Sequence, residues 1–229
     1  MIRLTTNAYN QTNSSPVTIL KNLYTKDTSQ FIASLQLERR LEGFCLIIAP
    51  LLLASSTFYW RQGEYGVESA TLLTLSLFFW IPALKFLFAL VDRKTTWYPI
   101  VGYWIAVFGC ISGVCFAFLG YLTRIFNIPH SQYVAALGKY AVSSQILLFA
   151  SGPLFPLSLF FLGIILAIKK TIDGWLAVLL CLGAIVFPLS RISRVQWLAH
   201  LGDIILFIPC CMLAIRNFKS PKPKGENAI

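Results

Sequence analysis

The sequence predicts an all-α, polytopic membrane protein that folds as a six-helix transmembrane bundle with both termini in the cytoplasm. Hydrophobic residues fill 57% of the 229 positions and charged residues only 12%, about half the charged share of a soluble domain. The mean hydropathy is +0.70. Because a membrane-spanning helix needs about 20 apolar residues, a chain of this length has room for about six. These numbers exclude a soluble globular domain and a disordered chain.

Six apolar stretches of suitable length follow one another along the chain. They cover residues 41–60, 69–91, 99–122, 144–168, 175–190 and 198–215. The loops between most of them are short, which favours antiparallel packing of neighbouring helices. The longer segment 123–143 is expected either to form a short helix on the outer surface or to be an early start of the fourth span.

The distribution of positive charge predicts the orientation. If the amino terminus lies inside, thirteen of the 19 Lys and Arg residues fall in inner segments, five fall in outer loops, and Lys85 lies within a span. Basic residues are concentrated in the cytoplasmic loops of membrane proteins. We therefore interpret the net charge of +10 as a sign of topology, and we expect no nucleic acid partner.

Two tails flank the predicted transmembrane domain, which covers residues 41–215. Residues 1–40 are polar and are expected to form a cytoplasmic tail, in which residues 28–40 form an interfacial helix. The early apolar run of a secretory signal is missing from this tail. Residues 216–229 form a second, basic cytoplasmic tail of the kind that is attracted to anionic lipid.

The third span carries small residues along one face. Gly109 and Gly113 form a Gly-x-x-x-Gly pattern, and their spacing places both on one side of the helix. Small residues allow two helix backbones to approach closely in a membrane. We therefore interpret Gly109 and Gly113 as helix-packing residues.

Prolines recur inside the predicted spans and are densest in the fourth, at Gly152-Pro153-x-x-Pro156. Each proline removes a backbone hydrogen bond and is able to kink a helix. This segment is the first candidate for an interrupted helix.

Two charged residues lie well inside predicted spans. Lys85 is six residues from Val91, roughly 9 Å from the inner membrane edge at a rise of 1.5 Å per residue. Asp203 lies five residues into the sixth span, roughly 8 Å from the outer edge by the same measure. Ionisable residues at such depth are costly and raise a functional hypothesis. For Lys85 the alternative is a side chain that extends to the interface or forms a structural ion pair.

Arg191, Arg194, His200 and Asp203 form a candidate polar cluster at the outer ends of the fifth and sixth spans. His200 and Asp203 are three residues apart and share a helix face. Such a cluster is suited to bind an anion or relay a proton. The simpler alternative is an interfacial ion network whose charges satisfy one another. No residue is assigned a catalytic role.

The pattern of cysteine and histidine predicts no metal site and no cofactor. The chain has six Cys and two His, and no Cys-x-x-Cys spacing occurs. Because every Cys lies in an apolar stretch, we interpret all six as packing residues.

The motif Gly-Pro-Leu-Phe-Pro-Leu at 152–157, followed by Lys-Lys and Gly-Trp within 169–175, resembles bacterial six-span inner-membrane proteins of uncharacterised function. A first span flanked by basic residues belongs to the same pattern. The resemblance covers residues 38–218. It implies a six-helix fold in a bacterial inner membrane, and it implies no activity.

Three functional classes are compatible with these features. The first is a non-catalytic subunit or assembly partner of a larger membrane complex, favoured by the few intramembrane polar groups and the glycine face. The second is a small-solute or ion carrier that uses Lys85 and Asp203. The third, ranked last, is an outer-face membrane enzyme that uses Arg191, Arg194, His200 and Asp203. The expected partners are the lipid bilayer and such a complex.

Overall fold

The computed structural model describes residues 16–60, 64–91 and 97–219, and these ranges are helical apart from short connections, without a β-strand. The predicted all-α class is therefore confirmed. The helices in these ranges are α1 (Pro16–Phe58), α2 (Val67–Ala89), α3 (Tyr98–Ile125), α4 (His130–Gly138), α5 (Ala141–Ser144), α6 (Leu154–Ile168), α7 (Gly174–Ser193) and α8 (Gln196–Lys219), and a π-helical turn, Gln145–Phe149, lies between α5 and α6.

The chain divides into two units, residues 1–39 and residues 40–229. In the first unit, the described residues are the part of α1 that begins at Pro16. Residues 28–40, predicted as an interfacial helix, are helical as part of α1. Residues 1–15 of the predicted amino-terminal tail and residues 220–229 of the carboxy-terminal tail lie outside the described residues.

Five helical segments of the described residues are long and apolar enough to cross a membrane. They are Ala33–Phe58, α2, α3, α7 and α8. A sixth candidate consists of two pieces, Ala141–Phe149 and α6, which meet at an angle of 43°. Several such helices fit a multi-pass membrane protein. The count of six and the orientation of the termini remain predictions.

The fourth predicted span, residues 144–168, is interrupted, and the break lies at the predicted Gly152-Pro153 pair. Pro153 has no backbone N–H, and the π-helical turn before it leaves carbonyl groups without their α-helical donors. Serine hydroxyl groups replace these donors. Ser112 donates to the carbonyl of Leu147 at 2.8 Å, and Ser151 donates to the carbonyl of Ile146. Serine hydroxyl groups are able to satisfy backbone groups that a break in a helix has freed.

The long helices of the second unit form a closed ring in the order α1, α2, α3, α6, α7, α8. Helix α2 packs on α3, α3 on α6, α6 on α7, and α7 on α8. On the α1–α2 side, the Ser76 hydroxyl donates to the carbonyl of Ala49 at 2.7 Å. The α1–α8 contact includes the hydrogen bond between Thr57 and Asp203 and the packing of Phe58 on His200. Every helix of the ring therefore has two neighbours.

Glycines permit the closest helix contacts in this ring. A Cβ atom at Gly109 would fall against the backbone nitrogen of Phe155, and one at Gly113 would lie 2.8 Å from Cδ1 of Leu77. The ring of Phe155 packs edge-on against Trp80, with 5.1 Å between centroids. The small-residue face of α3 is therefore used within the chain, against α6 and α2.

Candidate functional site

Arg191 and Asp203 form a buried ion pair between α7 and α8. The Arg191 Nη2 atom lies 2.9 Å from Asp203 Oδ1, and the two side chains are 12% and 1% exposed. Thr57, in the last turn of α1, donates its hydroxyl to Asp203 Oδ2 at 2.6 Å. The same hydroxyl accepts a hydrogen bond from Arg191 Nη1 at 3.0 Å. These contacts join three helices through one charge-neutral network.

Aromatic rings surround the Arg191 guanidinium group. Its central carbon lies 4.6 Å from the ring centroid of Trp60 and 5.1 Å from that of Phe187. A cation over an aromatic face is stabilised by the ring quadrupole, more so when water is excluded. Arginine has five N–H donors, and within the described part of the chain the buried Nε of Arg191 has no acceptor.

Arg194 forms a second, more exposed ion pair. It follows the last residue of α7 and has a left-handed backbone with φ of 56°, which is uncommon for a residue other than glycine. Its Nη1 atom lies 3.3 Å from Glu64 Oε1, and the side chains are 47% and 42% exposed. The Tyr133 side chain, on α4, also shares a hydrogen bond with Arg194.

His200 lies outside the hydrogen-bonded network, although it interacts electrostatically with Asp203. Its ring packs against Phe58, with 4.4 Å between centroids and a 44° tilt. Among the described residues, His200 makes no hydrogen bond to Arg191 or Asp203. The four members of the predicted cluster are therefore divided between the Arg191–Asp203 pair, the Arg194–Glu64 pair and an aromatic contact.

Lys85 belongs to a separate ion pair. Its Nζ atom lies 3.0 Å from Oε1 of Glu42 on α1, and the Glu42 side chain is 10% exposed. This is the structural pairing that the sequence left open as one alternative. The partner Glu42 was missed, because nothing in the spacing relates position 42 to position 85.

Two cavities meet at Arg191 and Arg194. The larger is a partly open cavity of about 350 Å³ between α2, α3, the π-helical turn, α6 and α7, and its lining is mostly apolar. The smaller has a volume of about 90 Å³ and is lined by both polar and apolar groups. Tyr65 and Phe116 line both cavities together with the two arginines. The larger volume lies within the range of about 300–1,000 Å³ typical of small-molecule sites.

The smaller cavity has a basic lining. Arg124, Arg191 and Arg194 line it together with one acid, Glu64, and Asp203 lies behind Arg191. These three arginines and two acids together carry a net charge of +1.

Two phenol groups accompany these charges. Burial raises the pKa of the Tyr65 hydroxyl. Burial also raises the pKa of Tyr133, although the nearby Arg194 opposes this effect. Both phenols are therefore protonated at neutral pH and are able to donate hydrogen bonds.

Sequence reasoning missed several contributors to this region, namely Thr57, Trp60, Glu64, Tyr65 and Tyr133. These residues lie at the end of the first span, in the loop after it and in the segment 123–143. The predicted orientation places all three parts on the side of Arg191, and that was the available signal. The orientation indicates on which side of the membrane these residues lie, and it does not indicate which of them contact one another.

Comparison of the chain with protein-family models, with curated proteins and with solved structures finds no match. Within residues 16–60, 64–91 and 97–219, no group of three or more His, Cys, Asp or Glu side chains is arranged to hold a metal ion. The six cysteines are unpaired. Among the described residues, the two cavities and the arginine ion pairs beside them have the geometry of a ligand site.

Proposed function

We propose that this multi-pass membrane protein binds an anionic amphiphile in the larger cavity. The observation that carries the proposal is an apolar cavity of about 350 Å³ with Arg191 and Arg194 at one end. An acyl chain would pack among the helices, and the anionic group would lie beside the arginines. Binding of this kind serves a protein that carries, presents or senses a lipid-like molecule.

The lining of the cavity matches an acyl chain. Leu73, Leu77, Phe149 and Phe155 contribute apolar side chains from α2, the π-helical turn and α6. Burying apolar surface against such groups contributes roughly 25 cal/mol per Å² for a ligand that enters from water. The positive end supplies orientation, because a ligand anion gains its strongest charge-assisted hydrogen bonds from the arginines.

The interrupted helix supports the same proposal. Leu148, Phe149, Gly152 and Pro153 all line the larger cavity. Irregular backbone at membrane depth is tolerated where it is buried in protein or lines a cavity. The π-helical turn and the Gly152-Pro153 break thus form part of the cavity wall.

The observed contacts bear differently on the three functional classes that the sequence left open. A carrier that uses Lys85 and Asp203 is not favoured, since each is held in its own ion pair. No enzyme is proposed, because the His200 ring packs against Phe58. The glycine face of α3, which favoured a subunit, is occupied within the chain.

The location and orientation are part of the proposal. The bias of Lys and Arg supports both termini inside and the Arg191 end of the bundle outside. With the resemblance noted above, it also supports a bacterial inner membrane. The amphiphile would then be bound in the outer half of the bilayer.

The experiment is a binding measurement with the purified full-length protein in detergent. Palmitate and hexadecyl phosphate are the anionic probes, and hexadecanol is the uncharged one. Leu148→Trp fills part of the cavity, because Leu148 lines it. Leu147→Trp is the matched control, because the adjacent Leu147 side chain is 52% exposed and lies outside the lining.

The expected result is binding of both anionic probes, with at least about tenfold lower affinity in Leu148→Trp and wild-type affinity in Leu147→Trp. Absence of binding to the wild-type protein would overturn the proposal. Equal affinity of the wild type and Leu148→Trp would overturn it as well.

A further inference from the structure

We infer that the smaller cavity holds the ligand's head group and that Glu64 is an exchangeable counter-ion of Arg194, which the ligand's anion replaces. This inference rests on the proposed function and adds a substrate class to it. The ligand would be a single-chain amphiphile with one small anionic head, a carboxylate or a phosphate monoester.

The two arginines differ in how firmly their partners are held. Arg191 is bound to Asp203, which is 1% exposed, and both are tied to Thr57. Breaking such a buried pair leaves an uncompensated charge in the protein interior. The Arg191–Asp203 pair is therefore a fixed part of the bundle.

The Arg194–Glu64 pair has the opposite character. Both side chains are more than 40% exposed, and the Nη1–Oε1 distance is 3.3 Å. Exposed ion pairs contribute little to stability, because water screens them and two flexible side chains must be ordered. A ligand anion therefore competes with Glu64 for Arg194 at small cost.

The surroundings of Arg194 fit an anion once Glu64 has moved away. Glu64 is the one acidic side chain among the residues that line the smaller cavity. Without it, the lining carries Arg124, Arg191 and Arg194 together with the hydroxyl groups of Thr123 and Tyr133. These groups offer charge and hydrogen-bond donors to one anion.

The volumes of the two cavities indicate the size of the ligand's head group and the position of its acyl chain. The smaller cavity, at about 90 Å³, has room for several water molecules, and a carboxylate or a phosphate is of that size. The larger cavity begins at the same residues, since Tyr65, Phe116, Arg191 and Arg194 line both. A chain attached to the head therefore continues directly into apolar surroundings.

The test compares Glu64→Gln with Glu68→Gln. Glu68 lies in the first turn of α2, four residues from Glu64 and outside both linings. Removing the competing carboxylate is expected to tighten binding of palmitate and hexadecyl phosphate by up to about fivefold. Glu68→Gln is expected to bind like the wild type. Arg194→Gln is expected to lose about tenfold or more for the anionic probes and to bind hexadecanol unchanged.

A further comparison tests the head size. Hexadecyl phosphate is expected to bind, and a single-chain phosphodiester with an inositol head is expected to bind at least about tenfold more weakly. Unchanged or weaker binding of the anionic probes to Glu64→Gln would overturn the exchange of counter-ions. Equal binding of both head groups would overturn the head-group assignment. Either result, with binding still lost in Leu148→Trp, would leave the proposed function standing.

Discussion

The hydroxyl of Thr57 lies 2.6 Å from Oδ2 of Asp203, although 146 positions separate the two residues in the chain. The same oxygen accepts a hydrogen bond from Arg191. One small side chain thus acts as donor and acceptor at once, between a carboxylate and a guanidinium group. The contact closes the helix ring, because it joins the first long helix to the last.

Thr57→Val is expected to destabilise the protein by about 1–3 kcal/mol, because it leaves polar groups of Asp203 and Arg191 buried without a partner. Unfolding by increasing denaturant in mixed micelles measures the change. Thr71→Val is the matched control. The Thr71 hydroxyl is exposed and donates to a carbonyl of its own helix, so its loss is expected to cost under about 0.5 kcal/mol. Equal effects of the two variants would contradict the role of Thr57.

Asp203→Leu is expected to cost about 3–5 kcal/mol, because it leaves Arg191 charged and uncompensated in the bundle interior. Adding Arg191→Met to the same chain removes the second charge. The double variant is expected to regain most of the lost stability, as apolar replacements of buried ion pairs often do. Free energies of unfolding for the two single variants and the double variant give the coupling. Additive losses would show that the pair does not act as a unit.

Gly109→Ala is expected to destabilise the bundle by about 1–3 kcal/mol, because the added methyl group meets the backbone of Phe155 and α3 and α6 must separate. Gly138→Ala is the control, since nothing lies within 4 Å of a Cβ atom there. The control is expected to be neutral or to gain up to about 1 kcal/mol from the higher helix propensity of alanine. The melting temperature in detergent distinguishes the two. A neutral Gly109→Ala would exclude a tight α3–α6 contact.

The ion pair of Asp173 and Arg216 makes stability depend on pH. The Arg216 side chain donates to the Asp173 carboxylate and lowers the pKa of Asp173. A carboxylate with a lowered pKa in the folded state stabilises fully above its unfolded pKa, and the contribution is lost as the pH falls through the folded pKa.

The melting temperature of Asp173→Asn is therefore expected to fall below that of the wild type by equal amounts at pH 7 and pH 5. The difference should shrink below about pH 4, where free aspartate becomes protonated. Glu68→Gln, which changes an exposed acid outside this pair, is expected to show no such dependence. A difference that persists unchanged at the lowest pH would rule out the carboxylate as its source.

The sequence was sufficient for the class of fold and for the position of the helix break. Composition and the length of apolar stretches determine both the helical class and the candidate spans, because a bilayer imposes them on any chain. Gly152 and Pro153 predict the interruption through their local backbone chemistry. The serine donors that stabilise it come in part from α3, through Ser112, and local chemistry does not reveal them.

The contacts between the residues of the site were harder to predict from the sequence. Asp203 and Arg191 are 12 residues apart on consecutive helices, so short-range reasoning brought them together as candidates. Thr57 and Glu42 join their partners across the ring, and their contacts depend on the rotation and register of helices far apart in the chain. The periodicity of apolar residues within one helix determines neither the rotation nor the register of that helix against a distant one. The cavities were missed for the same reason, since five elements line the larger one.

The closed ring has a consequence for biosynthesis. The α7–α8 hairpin carries both partners of the Arg191–Asp203 ion pair, so this pair is complete as soon as the last hairpin has been inserted. Thr57 emerges from the ribosome far earlier and meets Asp203 only after the last helix has been inserted. A chain that stops before α8 therefore leaves Arg191 charged in the bilayer and α1 without one neighbour. Such a product keeps an uncompensated charge, which is strongly destabilising in a protein interior.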